Sequence, residues 1–243
     1  MIDLIYSFIN LSVYMGEYNE YTKSWVGEEL FGARQKRAAK IFQILEKHNP
    51  HSKTALHFQT PMQLLAAVIL SAQSTDKKVN EITDKHLFKK YKTPKDFARA
   101  QPKTFEKEIS QIGLFRSKAK NIIASAKMIS RKFGGKLPKT MEEMITLRGV
   151  ARKTANIVLW NAYGIISGIA IDTHARRLAQ RLGLTENDDP SKIEKDLMAL
   201  VPNKKLWPQV NTLLVDLGRS TCIAQNPRCR KCPLKAVCPS SRV

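Results

Sequence analysis

Helix boundaries are written into this chain four times over. Thr60-Pro61-Met62-Gln63, Thr93-Pro94, Thr140-Met141-Glu142-Glu143 and Asp189-Pro190 each set a capping side chain before a proline, a capping-box acid or amide, or both. Glycines at Gly113, Gly134-Gly135, Gly164 and Gly183 mark the expected stops. Between these marks apolar residues recur at three- and four-residue spacing, as in Leu64, Leu65, Val68 and Ile69 or Ile122, Ile123, Ala126 and Ile129. No stretch alternates with the two-residue period of a strand. A chain punctuated in this way folds as helix after helix, so the expected fold class is all-α. There is no tandem repeat and no Gly/Ser linker, which places any domain boundary within closely packed helices.

With 243 residues, 43% of them hydrophobic, the chain has enough apolar surface for a sizeable core. Its charge is lopsided: 41 Lys and Arg stand against 21 Asp and Glu, a formal +20. That excess points to a polyanionic partner. Nucleic acid fits best, because each phosphate neutralised releases condensed counterions, whereas a membrane-surface protein concentrates its charge beside an amphipathic helix. No apolar run reaches the roughly eighteen residues of a membrane span, so the expectation is a soluble, intracellular protein, cytoplasmic or at the nucleoid. Residues 1–22 hold no Lys or Arg and three acids (Asp3, Glu17, Glu20), leaving the other 221 residues with 41 basic against 18 acidic side chains, a net +23. This stretch reads as an N-terminal extension, with Met15 an alternative initiator, and it lacks the basic start of a secretory signal.

All four cysteines, Cys222, Cys229, Cys232 and Cys238, fall in the last 22 residues with the spacing C-x6-C-x2-C-x5-C. Disulfides are the reading for a short secreted chain, which this is not. Four thiolates in one loop can instead close around a zinc ion or each bind one iron of a [4Fe–4S] cube. Structural zinc favours two short knuckles, and only Cys229-x2-Cys232 is one. The wider flanking spans, with Pro239 after the last cysteine, favour the cube over zinc.

Residues 140–164, TMEEMITLRGVARKTANIVLWNAYG, read as a helix through Leu147, a turn at Arg148-Gly149-Val150-Ala151 and a second helix from Arg152: a helix–hairpin–helix. Amides of the turn and of the second helix's start converge where the helix dipole also favours negative charge, so the motif suits a phosphate and holds DNA without reading its sequence. A plain αα-corner with a glycine turn is the bland alternative. Lys153 stands at the mouth of the second helix, where a phosphate clamp or solvated charge is the ordinary role. Further on, the apolar run Ile169-Ala170-Ile171 delivers Asp172, which by itself is an N-cap for a helix from His174 to Gly183.

Taken together, LRGVARKTAN, IDTH and the cysteine pattern, preceded by LLAAVILSAQSTD (64–76) and IGLFRSKAKNI (112–122), resemble the endonuclease III family. The five motifs cover about residues 33 to 239 in order. The resemblance implies a bifunctional base-excision glycosylase that removes oxidised pyrimidines from duplex DNA and then cuts at the abasic site. It implies two all-α domains: a six-helix barrel at 55–165 carrying the hairpin, and a domain of 23–54 plus 166–243 holding a [4Fe–4S] cluster in the loop 222–238, with the catalytic cleft between them. Lys153 and Asp172 are the implied catalytic pair, and His174 is expected to support Asp172 without touching the substrate. Gln73 and Leu114 are implied to fill the hole left by a flipped nucleotide, and Gly149, Val150, Ala151, Arg152 and Thr154 to hold the backbone. The four cysteines would be the cluster ligands. The partner is double-stranded DNA with damaged bases or abasic sites, bound by a monomer.

The implied chemistry asks Lys153 to act as a neutral amine. A free lysine, with a pKa near about 10.4, is almost wholly protonated at neutral pH, so desolvation, the helix N-terminus and the neighbouring Arg148 and Arg152 are expected to lower it. The chain departs from the family's LPGVG hairpin: Arg148 replaces the proline and Ala151 the last glycine. Because a Cβ disfavours positive φ, Ala151 is expected to alter the hairpin's geometry. Two rivals stand beside this reading. A monofunctional adenine or thymine/uracil mismatch glycosylase shares the fold and the aspartate but has no lysine at this place. A non-enzymatic DNA-binding protein with a hairpin and a zinc knuckle leaves Asp172 and Gln73 without a task.

Overall fold

A computed structural model describes residues 25–50 and 54–243; the expected N-terminal extension, 1–22, lies outside the described residues. Every regular element among the described residues is helical, as the capping pattern requires. The α-helices of four or more residues are, in chain order, α1 (Trp25–Glu28), α2 (Phe31–His48), α3 (Pro61–Ser71), α4 (Asp76–Ile82), α5 (Pro94–Ala98) and α6 (Pro102–Glu108). They continue with α7 (Phe115–Lys132), α8 (Met141–Met144), α9 (Arg152–Tyr163), α10 (Thr173–Arg181), α11 (Pro190–Leu200) and α12 (Trp207–Ser220). Contacts gather into two units, one of residues 54–170 and one of residues 25–50 with 171–243.

The unit of residues 54–170 is built around α3. Thr60 caps it, accepting the Gln63 N–H at 3.2 Å, and every residue from Met62 to Leu70 is buried. A helix apolar on all sides belongs at the centre of a domain, and α7 and α9 pack against it, bringing Ile122, Ile129, Val158 and Leu159 into the same core as Leu64 and Leu65. The one polar side chain buried in α3, Gln63, is satisfied. Its amide donates to the carbonyls of Phe88 and Tyr91 at 2.9 and 3.1 Å, and its oxygen accepts the Gln59 N–H at 2.9 Å. It thereby ends the helical run that α4 continues through the π turn Thr83–Leu87 into Phe88–Lys90. Beside that end Tyr91 stacks on Phe97 at 5.3 Å and meets Phe105 edge-on at 5.2 Å; each ring buried in full contributes about 1.5–3 kcal/mol.

In the other unit α2 packs against α11 and α12, and α10 lies against α12. Glu29, just after α1, is gripped by Arg37 through bonds of 2.8 and 2.6 Å, which holds its carboxyl below the usual range. The α10–α12 contact is close enough to demand glycine: a Cβ on Gly218 would stand 2.9 Å from His174 Nδ1 and 3.0 Å from Arg177 Nη2.

Three details of the sequence reading are revised. The first hairpin helix is regular only to Met144; Thr146 and Leu147 bond back to Glu143 and Met144 in i→i+3 turns, so the chain tightens before Arg148. The helix after Asp172 runs Thr173–Arg181, a residue earlier at its start and two short of Gly183. Gly113 is not a helix stop: α6 ends at Glu108, and the left-handed residue of the turn that follows is Leu114 at φ 57°.

Candidate active site

The hairpin turn owes its shape to two residues. Gly149 sits at φ 78°, and a Cβ there would stand 2.7 Å from Asn121 Nδ2 and 2.9 Å from Asn121 Cβ, so both conformation and space require glycine. Asn121, on α7, accepts from Arg148 Nε at 3.2 Å, while Ser125 Oγ, one turn on, donates to the Arg148 carbonyl at 2.8 Å. The turn is therefore fixed from beneath. Ala151 is at φ −94°, ψ 171°, an extended N-cap conformation open to any residue. The distortion expected from its Cβ does not arise, because the positive φ falls on Gly149 alone.

Ala151 offers no side-chain acceptor to the first turn of α9. N–H groups at a helix start that lacks a capping side chain are suited to an anion, and the dipole adds to the attraction. Arg148, Gly149, Ala151, Arg152 and Lys153 are exposed, Thr154 is half-buried, and Val150 is buried. Lys153, two residues after the N-cap, brings an amine into the same turn.

Gln73 and Leu114 are both exposed and both left-handed, at φ 54° and 57°. Non-glycine residues held there carry about 1–3 kcal/mol of strain and persist only where neighbours enforce it. Gln73 follows the end of α3; Leu114 is the N-cap of α7 and is 61% exposed. The two segments touch, since a Cβ on Gly113 would stand 3.6 Å from the Gln73 carbonyl oxygen.

Asp172 is half-buried and caps α10, its Oδ1 accepting the Ala175 N–H at 2.7 Å. His174 Nδ1 lies 3.2 Å from Arg177 Nη2; a guanidinium only donates, so this nitrogen accepts and any ring proton of the neutral imidazole is on Nε2. Burial lowers the His174 pKa; Asp172 opposes the shift and Arg177 adds to it. Arg177 also donates to the carbonyls of Gly218 and Cys222, both at 3.1 Å. One turn further Arg181, 4% exposed, reaches Cys222 Sγ at 3.1 Å, the Ile223 carbonyl at 2.8 Å and the Ala224 carbonyl at 2.8 Å. The helix that Asp172 begins is thus clamped at its far end to the cysteine loop.

Cys222, Cys229, Cys232 and Cys238 line one cavity, together with Arg181, Arg228 and Lys235, and none is in a disulfide. Burial pushes the Cys238 thiol up to about 12 and raises Cys232 as well, with the neighbouring cysteines adding to both. Sulfurs that disfavour each other's charge suit a strongly cationic iron or zinc centre, which favours thiolates outright. Among the described residues no group of three or more His, Cys, Asp or Glu is arranged around a single metal ion.

Four positions here escaped the motif reading. Arg177 and Arg181 were visible as an i, i+4 pair on the helix after Asp172, and Lys118, whose ammonium bonds the carbonyls of Leu70 and Ala72 on either side of the end of α3, as a charge four residues before Ile122 in the apolar register of α7. Asn121 carried no such signal, because its task is to lie under a turn distant in sequence.

The sequence pattern of the HhH-GPD superfamily of base excision DNA repair proteins matches residues 66–203. Endonuclease III of Synechocystis sp. is 45% identical over 210 residues, 86% of this chain and 95% of the relative; that of Bacillus subtilis is 44% identical over 78% of this chain and 85% of the relative. Among solved structures, a non-covalent endonuclease III–DNA complex superposes with a TM-score of 0.80 at 38% identity, covering 85% of this chain and 96% of that one. A trapped endonuclease III–DNA covalent intermediate gives 0.78 at 39% identity, over 84% and 96%. A thermostable thymine-DNA glycosylase gives 0.76 at 23% identity, a likeness of fold.

Proposed function

The chain belongs to the endonuclease III family of the HhH-GPD superfamily, and from that premise we propose how its residues carry out base excision on DNA. It is a bifunctional enzyme, a DNA glycosylase that also cleaves the strand at an abasic site. The observation that carries the residue assignments is the first turn of α9: a helix start with no capping side chain, suited to a phosphate, and the amine of Lys153 occupy the same turn. A monofunctional glycosylase would leave that amine idle, and a non-enzymatic binder would use Asp172 only as the cap of α10.

In this reading the hairpin backbone and Arg152 hold the duplex through its phosphates, independent of sequence. A damaged nucleotide, by chemistry an oxidised pyrimidine, flips out at a cost of a few kcal/mol, least where pairing is weak. Leu114 enters the stack as an apolar wedge, and the Gln73 amide bonds the orphaned base. The lone pair of Lys153 Nζ attacks C1′; the C1′–N bond breaks and the base leaves with its electron pair, to be protonated. The Asp172 carboxylate stabilises the cationic sugar and takes the proton that the attacking nitrogen loses. The C1′–O4′ bond then breaks as the nitrogen lone pair forms an imine between C1′ and Nζ, and O4′ takes a proton to become a hydroxyl. Loss of a C2′ proton then expels the 3′ phosphate oxygen, which cuts the strand on the 3′ side.

Cys222, Cys229, Cys232 and Cys238 would hold a [4Fe–4S] cluster, which supplies structure and no step of this chemistry. The cysteine loop with Arg228, Arg230, Lys231 and Lys235 would then face the DNA backbone. The barrel domain would comprise 55–165 and the cluster domain 23–54 with 166–243. The enzyme acts as a monomer on chromosomal DNA inside the cell. Among the described residues no helix is long and apolar enough to cross a membrane.

Incubation with duplexes carrying thymine glycol, an abasic site or an A·G mismatch tests the reading. Incision of the first two and not the third is expected. Base loss without incision would support the monofunctional reading, and binding with neither would support the non-enzymatic one.

A further inference from the structure

Lys118 has no part in the chemistry above, yet it is 4% exposed on the inner face of α7. Its ammonium donates to the carbonyls of Leu70, at 2.9 Å, and Ala72, and approaches Ser74 Oγ at 3.4 Å. These partners are the last turn of α3 and the residues on either side of Gln73. A cation at a helix C-terminus meets both unpaired carbonyls and the negative end of the dipole. Burial lowers the pKa of this lysine, and the oxygens it bonds are what it has in place of water.

We propose that Lys118 is a positioning residue: its buried ammonium ties the segment bearing Gln73 to the helix that begins at Leu114, so that both side chains enter the duplex as one rigid pair. The proposal rests on the reading of Gln73 and Leu114 as the residues that fill the hole. Its ground is that both take left-handed backbone, that a Cβ on Gly113 would lie 3.6 Å from the Gln73 carbonyl, and that one side chain four residues after Leu114 bonds at 72 and 74. Strain of that kind survives only where the surroundings over-determine it. Lys118 is the group that does so for Gln73.

The test compares incision of an abasic site in a duplex, where a hole must be filled, with incision of the same site in a single strand, where there is none. Full-length protein carries Lys118→Met, Gln73→Ala or both. Lys118→Met is expected to lower the duplex to single-strand ratio about tenfold, within the range for residues in one hydrogen-bonded network. In the Gln73→Ala background it should lower the ratio no further. Lys118→Gln, which keeps an amide donor, should fall between parent and Lys118→Met, and it replaces the latter if thermal melting shows that variant unfolded. An unchanged ratio in a folded Lys118 variant, or a full additional loss on top of Gln73→Ala, overturns the proposal. An unchanged ratio in Gln73→Ala alone overturns it through its premise, a distinct failure.

Discussion

Asp172 Oδ1 accepts the N–H of Ala175 at 2.7 Å, so the carboxylate assigned to the proposed reaction is also the residue that starts α10. The two tasks separate by mutation. Asparagine caps a helix as well as aspartate, whereas alanine forfeits about 1 kcal/mol. Asp172→Asn should melt with the parent while base removal slows by about a hundredfold or more. Asp172→Ala should lose both. Single-turnover base release beside a thermal melt decides, and an Asp172→Asn enzyme of parental rate would return Asp172 to a cap alone.

Gly149→Ala forces a Cβ against Asn121 at 2.7–2.9 Å and a side chain into φ 78°. It should cost about 1–3 kcal/mol of stability. It should also weaken binding to undamaged duplexes of every sequence by a similar factor, because phosphate contacts position and do not read. Loss confined to some sequences would count against a backbone role for the hairpin.

Cluster identity is decided by composition. Purified protein should carry about four iron and four acid-labile sulfides per chain; one zinc and no sulfide would establish the alternative. Cys238→Ala should lose the metal. Since Arg181 and Arg177 join α10 to the loop at Cys222, proteolytic cleavage within α10 should quicken in that variant.

His174 gives a pH dependence whose sign follows from its burial. Its folded pKa lies below the unfolded 6.5, so its contribution is fully present above 6.5 and is lost as pH falls through that value toward the folded one. His174→Gln should lose less stability than the parent between about pH 7 and pH 5 in denaturant melts. Parallel losses would show that other groups dominate this window.

The fold was legible because its signals are local. Thr60, Thr93, Thr140 and Asp189 each cap the helix that follows, by bonds to backbone two or three residues on. Two revisions moved a helix end by a few residues, and the others fell where a turn is settled by a neighbour distant in sequence. Leu114 takes the left-handed place expected near Gly113, in a turn packed on residue 73, and Ala151 escapes strain because Asn121 shapes the hairpin around Gly149. At the site the chemical groups were visible as motifs. Lys118, Arg177 and Arg181, which flank them, bond to carbonyls that no motif records.

The account's central claim is that the Lys153 amine forms the bond to C1′. Borohydride reduction during turnover on a thymine glycol or abasic duplex should trap a covalent protein–DNA adduct, and peptide mapping should place it on Lys153. Lys153→Gln should give neither adduct nor incision while binding the duplex as the parent does. An adduct on another residue, or one that persists in Lys153→Gln, would contradict the account.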